Sequence, residues 1–175
     1  GNASVFALPK NFMGDQKDYV IRLTDKMDKD EYDGLIIQGY LSKKCDYINP
    51  VKQLGVFARN PNEGIKIEDL NYDNETETFY IANYGVYAIL EKGILNLQEY
   101  IKLHKQNKID SNIIIHPITM ITQWLTGMNC IHRNGFVNQN LKPDNIIITT
   151  KNTIQIIDFG YTGIVDVSCK YYEIG

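Results

Sequence analysis

Residues 138–160 gather the side chains whose types and spacing could do chemistry. The run Asn138-Gln139-Asn140-Leu141-Lys142-Pro143-Asp144-Asn145 is followed, thirteen residues after Asn145, by Asp158-Phe159-Gly160. Between them, Asn145–Thr149 and Thr153–Ile157 read as two short strands joined by a tight polar turn at Lys151-Asn152. A hairpin of that kind brings an amide carbonyl and a carboxylate together, and such hard oxygens suit a magnesium ion held against phosphates. A lysine close by can steady a phosphate. The plain alternative is a surface Lys-Pro turn followed by an unrelated Asp-Phe-Gly turn, and an isolated Asp-Phe-Gly would be weak evidence against it.

Both motifs at this separation resemble the catalytic loop and the magnesium-binding loop of eukaryotic-type protein kinases, of the Ser/Thr-like kind. That family places a metal-binding Asn five residues after its catalytic aspartate, which is the interval from Asn140 to Asn145. The resemblance implies Asn145 and Asp158 as metal ligands, Lys142 as the phosphate contact, and Asn140 at the catalytic-aspartate position. The departure lies there, because Asn138-Gln139-Asn140 stands where the family has His-Arg-Asp. A neutral amide cannot act as a base at ordinary pH, and a general base contributes about 10²–10⁴-fold. Gln139 lacks the charge with which the family's Arg grips a phosphorylated activation loop. Phosphoryl transfer rests mainly on positioning and charge neutralisation, so an Asn140 oxygen that orients a hydroxyl leaves room for slow transfer. His132-Arg133-Asn134 imitates the triplet but precedes Gly135-Phe136 rather than the Lys-Pro stretch. It reads as the structural end of a helix.

With that register, the N-terminal half acquires roles by the same resemblance. Tyr19-Val20-Ile21-Arg22 is similar to the strand that carries the family's ATP-binding lysine, so Val20 lines the nucleotide and Arg22 takes the lysine's place. Arg keeps the charge but not the geometry of Lys, and a strand Arg reaching for solvent is the bland alternative. Its acidic partner on the following helix is expected at Asp33, with Glu31 as second choice. Gly1-Asn2-Ala3-Ser4-Val5-Phe6 resembles the tail of a glycine-rich phosphate loop, with Val5 as the roof over adenine. Leu90 would gate the back of the pocket, Glu91 to Gly93 would form the adenine-binding hinge, and Ile147 would pack beneath the ring. Core packing alone would account for the apolar positions among these.

The elements that must hold these residues follow from pattern. Residues 17–24 and 51–58 are strand-like, and so are Thr78–Ala82 and Val86–Leu90, after a polar, turn-rich connection over 59–77. Residues 30–44 read as a helix with Leu35, Ile36 and Tyr40 on one face, ended by Asn49-Pro50. Leu97, Tyr100, Ile101 and His104 share a second helix. A third starts at Pro117, repeats Ile118, Ile121, Leu125, Met128 and Ile131, and stops at Gly135. The order predicts an α+β, bilobal protein-kinase-like fold: a small β-rich lobe with one helix over 1–93, then the first part of a helical lobe over 94–175.

Composition narrows the rest. Of 175 residues, 43% are hydrophobic and 22% charged, as in globular domains, and the net charge of −3 gives no pull toward nucleic acid. No apolar run approaches the roughly 20 residues that span a bilayer, so neither a membrane nor a nucleic-acid partner is expected. Cys45, Cys130 and Cys169 are odd in number, widely spaced and free of Cys-x-x-Cys, which predicts no disulfide framework and an intracellular, cytoplasmic setting. The triplets Asn2-Ala3-Ser4 and Asn74-Glu75-Thr76 match glycosylation acceptors but arise readily in an Asn-rich chain. Ser168, Tyr171 and Tyr172 fall where activation-loop phosphorylation sites often lie. The chain reads as an excised piece lacking both ends of the family's domain. The expected function is that of a pseudokinase, binding Mg²⁺ and ATP with little or no transfer, its partner a protein substrate or a regulated protein. The alternatives are a divergent active Ser/Thr kinase and, less favoured by Lys142-Pro143, a small-molecule phosphotransferase.

Overall fold

β-Branched and aromatic runs in the first half build an antiparallel sheet that one helix covers. The computed structural model describes residues 3–24, 29–58, 70–73, 78–81 and 84–165. Its first half contains β1 (Ala3–Ala7), β2 (Tyr19–Thr24), α1 (Lys29–Leu41), β3 (Val51–Ala58), β4 (Leu70–Asp73), β5 (Thr78–Ile81) and β6 (Tyr84–Glu91). Four of these strands pair antiparallel in the order β1-β2-β6-β3, and β4 pairs with β5 in a separate hairpin. The register sets Val20 opposite Leu90 and Arg22 opposite both Val5 and Ala88. Residue alternation then turns Val20 and Arg22 to one face. Strand β1 was expected only as a loop tail; Gly1 and Asn2 lie outside the described residues.

The second half holds β7 (Leu95–Asn96), α2 (Leu97–Lys105), α3 (Pro117–Arg133), β8 (Phe136–Asn138), β9 (Ile146–Ile148), β10 (Ile154–Ile156) and β11 (Thr162–Ile164). A capping box starts α2, with Glu99 N–H donating to Asn96 Oδ1 and Asn96 N–H to Glu99 Oε2. Pro117 occupies the first turn of α3, and Gly135, at φ 84°, follows its cap at Asn134. The predicted hairpin forms as β9 and β10, with Asn152 in the turn at φ 56°. The two-residue β7 adds to β9, while β8 pairs with β11. Neither β8 nor β11 is legible in advance, since three-residue strands carry too little periodicity.

Two helix faces differ from expectation. On α1 the inward positions are Gly34, Leu35, Gln38 and Leu41, whereas Ile36 and Tyr40 are exposed. Gly34 sets that orientation by the closeness of its approach to residues 159 and 160, and Tyr40 instead meets the edge of Phe136 at 6.1 Å between ring centroids. On α3, Met120, Gly127, Met128 and Ile131 are buried, while Ile118, Ile121 and Leu125 are exposed. One apolar cluster joins Leu41, Cys45, Ile48, Met128, Ile131, Ile156 and Phe159 across α1, α3 and β10. A second lies around Tyr100, Met120 and the hairpin isoleucines. Among the described residues no helix is long and apolar enough to cross a membrane.

The first cluster contains a covalent bond that the cysteine spacing did not predict. Cys45, just beyond α1, is disulfide-bonded to Cys130 in α3, across a sequence separation of 85 residues. The thiol count failed as a guide because pairing depends on where the chain returns, not on spacing. Cys169 lies outside the described residues. Closing a loop of this size is worth roughly 4–5 kcal/mol in the chain-entropy picture. Reduction, or Cys130→Ser, is therefore expected to lower the melting temperature by roughly 8–20 °C, with a non-reducing peptide map recovering the Cys45–Cys130 link. Melting indifferent to reductant would show that the bond contributes nothing.

Candidate active site

A cleft of about 470 Å³ lies between the sheet and the second half of the chain, lined by residues from both. β1 contributes Val5 and β2 contributes Val20; β9 contributes Ile147 opposite them. Leu90 and Glu91 end β6 at the back of the cleft, and Gly93 continues its wall. A Cβ on Gly93 would lie 2.9 Å from Ile147 Cβ, so only glycine lets this segment sit so close to β9.

Arg22 reaches from β2 across to α1, where its Nη2 donates to Glu31 Oε1 at 2.7 Å. Both side chains are about a quarter exposed and both line the cleft. This corrects the preference for Asp33: the partner is Glu31, the second choice, and Asp33 is exposed and outside the lining. The reason is the stripe that α1 turns inward. Positions 31, 34, 35, 38 and 41 follow helical spacing, but a Glu, a Gly and a Gln among them hide the stripe from any search by hydrophobicity. Glu31 Oε2 is buried and has no hydrogen-bond partner among the described residues.

The β9–β10 hairpin links Asn145 to Asp158, and both residues line the cleft. Asn145 is buried at 7% exposure; its Nδ2 donates to the Asn140 carbonyl at 2.8 Å, and its own carbonyl accepts from Ile157 N–H. Asp158 has φ 62°, a left-handed conformation unusual for a residue with a side chain. The next residue, Phe159, is only 2% exposed and belongs to the cluster under α1. Asn140 bridges the two, because its Nδ2 donates to Asp158 Oδ2 at 2.9 Å. Asn138, buried at 2%, accepts from Asn140 N–H and donates to the Asp158 carbonyl. The oxygen-only pair Asn145 and Asp158 fits a magnesium ion, which takes one or two protein oxygens and completes its shell from phosphate and water. Lys142 does not join them: it is exposed and borders a separate apolar depression with Trp124 and Pro143.

A polar relay absent from the sequence reading ties the back of the cleft to α1. Gln38 Nε2 donates to the Asn49 carbonyl at 2.9 Å, and Asn49 Nδ2 donates to the Glu91 carbonyl and to Gln155 Oε1 at 2.9 and 2.8 Å. Burial alone would push the Glu91 carboxyl up. Hydrogen bonds from Lys17 and Gln155, with the charges of Lys17 and Lys52, outweigh it and hold Glu91 below the ordinary glutamate range. Next to it, burial and the hydrogen bond donated to Asp15 push Tyr19 up to about 12. No local signal marks these residues, since their partners lie up to 106 positions away.

Helix and loop touch most closely at Gly34, where an added Cβ would stand 2.6 Å from Gly160 N and Phe159 C. In an isolated helix Gly→Ala gains about 1 kcal/mol, whereas forcing atoms into a packed contact costs about 1–3 kcal/mol or more. Gly34→Ala is therefore expected to be net destabilising in denaturant unfolding; a stabilised variant would refute the contact. Because Glu91 is held below its unfolded value, its contribution is present above the ordinary glutamate pKa and lost as pH falls through the folded one. Glu91→Gln is expected to flatten that acid limb of the stability–pH profile, and an unchanged limb would remove Glu91 as its source.

Comparison with known proteins reaches this region from outside the geometry. The sequence profile of the protein kinase domain matches residues 68–173. The chain is 32% identical over 158 residues to calcium-dependent protein kinase 4 of Plasmodium falciparum, covering 88% of this chain and 24% of that protein. It is 36% identical over 85 residues to a probable serine/threonine-protein kinase of Clostridium acetobutylicum, covering 43% and 12%. Against the interferon-induced, double-stranded RNA-activated protein kinase of Mus musculus it is 28% identical over 99 residues, covering 53% and 18%. The chain thus spans at most about a quarter of the length of these relatives. A profile match over more than half of the 175 residues leaves one conclusion: the chain is a member of the protein kinase domain family.

Proposed function

We propose that this domain binds ATP with Mg²⁺ in the cleft and transfers phosphate slowly or not at all, acting as a regulatory or scaffolding pseudokinase toward a protein partner. The observation that carries the reading is that Asn145 and Asp158, both lining the cleft, are joined through an amide at position 140. Residues 1–93 are taken as the small lobe and 94–175 as the first part of the large one. Val5, Val20 and Ile147 would sandwich the adenine, with backbone groups of Glu91 to Gly93 at its edge and Leu90 behind it. Arg22, steadied by Glu31, would face the phosphates. Asn145 and Asp158 would hold the cation, which when bound neutralises phosphate charge. Asn140 can orient an acceptor hydroxyl through its amide oxygen but cannot take the proton. Lys142 reaches the phosphate only by turning from the face it occupies here.

A second reading, a divergent active Ser/Thr kinase, draws on the assembled Arg22–Glu31 pair and buried Phe159, and on relatives named as serine/threonine kinases. An intracellular, cytoplasmic setting belongs to the proposal because ATP is found there. The Cys45–Cys130 bond would be open to reduction in such a compartment.

Two assays on the full-length protein decide between the readings. Mg·ATP is expected to raise the melting temperature of the wild type and not of Asp158→Ala. Phosphate transfer to itself and to a generic protein substrate is expected to be about 10²–10⁴-fold slower than in Asn140→Asp, or roughly 3–5 kcal/mol of barrier. Wild-type transfer as fast as that of Asn140→Asp would establish the active kinase instead. Absence of any nucleotide-dependent shift would reject nucleotide binding altogether.

A further inference from the structure

The contact between Asn140 and Asp158 cannot form between two aspartates. Asn140 Nδ2 donates to Asp158 Oδ2 at 2.9 Å, whereas a carboxylate at 140 has no N–H to offer and would place a second negative charge there. Asn140 is itself fixed at both backbone ends. Its N–H donates to Oδ1 of buried Asn138 at 2.8 Å, and its carbonyl accepts from Asn145 Nδ2 at 2.8 Å. The other carboxylate oxygen, Asp158 Oδ1, accepts from Gly160 N–H at 3.3 Å. Both oxygens of Asp158 therefore have an N–H partner supplied by the chain itself, and both expected cation ligands are held through one residue.

We propose that Asn140 is a positioning residue for Asp158: its neutral amide gives the carboxylate a hydrogen-bond donor and sets no second negative charge beside it, so the cleft keeps much of its nucleotide affinity without a divalent cation. The proposal rests on the nucleotide-binding reading above. A hydrogen bond to a charged group shifts an equilibrium by about ten- to a hundredfold, which sets the scale of the effect. The residue that removes the base would then also reduce the site's demand for magnesium.

The test uses the full-length protein as wild type, Asn140→Asp and Asn140→Ala. ATP affinity is measured by calorimetry in EDTA and in excess Mg²⁺, and nucleotide-free melting is followed in the same two buffers. Wild-type affinity is expected to fall less than about tenfold when EDTA replaces Mg²⁺. The same exchange should cost Asn140→Asp at least about tenfold more, with Asn140→Ala between the two. Nucleotide-free Asn140→Asp should melt below wild type in EDTA and recover with Mg²⁺. A merely structural asparagine would lower melting equally in both buffers and leave the Mg²⁺ ratio of affinities unchanged, and that result overturns the proposal. Should Asn140→Asp fail to fold, the affinity ratio of Asn140→Ala decides alone, an unchanged ratio being the refuting result. If no form binds ATP in either buffer, the nucleotide-binding reading fails. Melting then still decides the role of Asn140: rescue of Asn140→Asp by Mg²⁺ supports it, and melting like wild type in EDTA refutes it.

Discussion

Helix α1 lies on the backbone of Phe159 and Gly160 with no side chain between them, and most of the site is arranged around that contact. At Gly34 the two segments approach more closely than any Cβ would permit. Three positions earlier on the helix, Glu31 meets Arg22 of β2; one turn later, Gln38 holds the Asn49 carbonyl. Leu41 then enters the cluster that buries Phe159. A shift of α1 by the thickness of a methyl group would therefore loosen an ion pair, a buried hydrogen bond and an apolar contact together. The Cys45–Cys130 bond acts on the same unit, tying the chain just past α1 to α3. Packed interiors respond to such changes because they have little free volume to absorb them.

The polar relay behind the cleft works under a different constraint. Gln38, Asn49 and Gln155 lie where apolar residues would pack at less desolvation cost, and an unpaired polar group there costs about 1–3 kcal/mol. Most of their groups are paired: Asn49 alone spans the Glu91 carbonyl and Gln155. Asn49 Oδ1 is the exception, buried with no partner among the described residues. Directional bonds fix distances that dispersion contacts leave loose. Here they set the end of β6 relative to α1 and β10, and so fix the depth of the cleft. Glu91 adds the charge: Lys17 and Lys52 approach its carboxylate from two strands or their edges.

What the sequence made legible divides along physical lines. Long periodic runs announced β3, β6, α2 and α3 nearly to their ends, and the Asn145–Asp158 spacing marked two residues that both line the cleft because a hairpin of fixed length links them. Residues whose significance depends on distant chain were invisible: the Cys45–Cys130 bond, the Asn49 relay and the three-residue pair β8–β11. Glu31 was misranked for a subtler reason. Counting back from Ile36-Ile37-Gln38 favoured Asp33, whereas the stripe that α1 turns inward carries Glu31 and mixes charge, glycine and amide, so periodicity gave no correction. Lys142 was assigned by motif position, and motif position does not fix the direction of a long side chain on an exposed loop. Ser168, Tyr171 and Tyr172 lie outside the described residues.

Asn140 carries two consequences of similar size and opposite direction. On the pseudokinase reading proposed above, the base missing at Asn140 would cost about 10²–10⁴-fold in rate, or roughly 3–5 kcal/mol. As a lost charge, it relieves a repulsion that for two unit charges about 4 Å apart amounts to roughly 4 kcal/mol at an effective dielectric of about 20. It also adds a donor to Asp158 at 2.9 Å. The first consequence acts only on the transition state, since a base is needed only when the proton leaves. The second acts on the ground state, where it stabilises the arrangement of Asp158, Asn145 and the loop between them. Binding strengthened in the ground state does nothing for the chemical step. On the proposed reading, a site altered in this way would hold nucleotide with less help from a cation while using it less well. One residue, in a triplet that departs from its family at all three positions, would on that reading account for both changes.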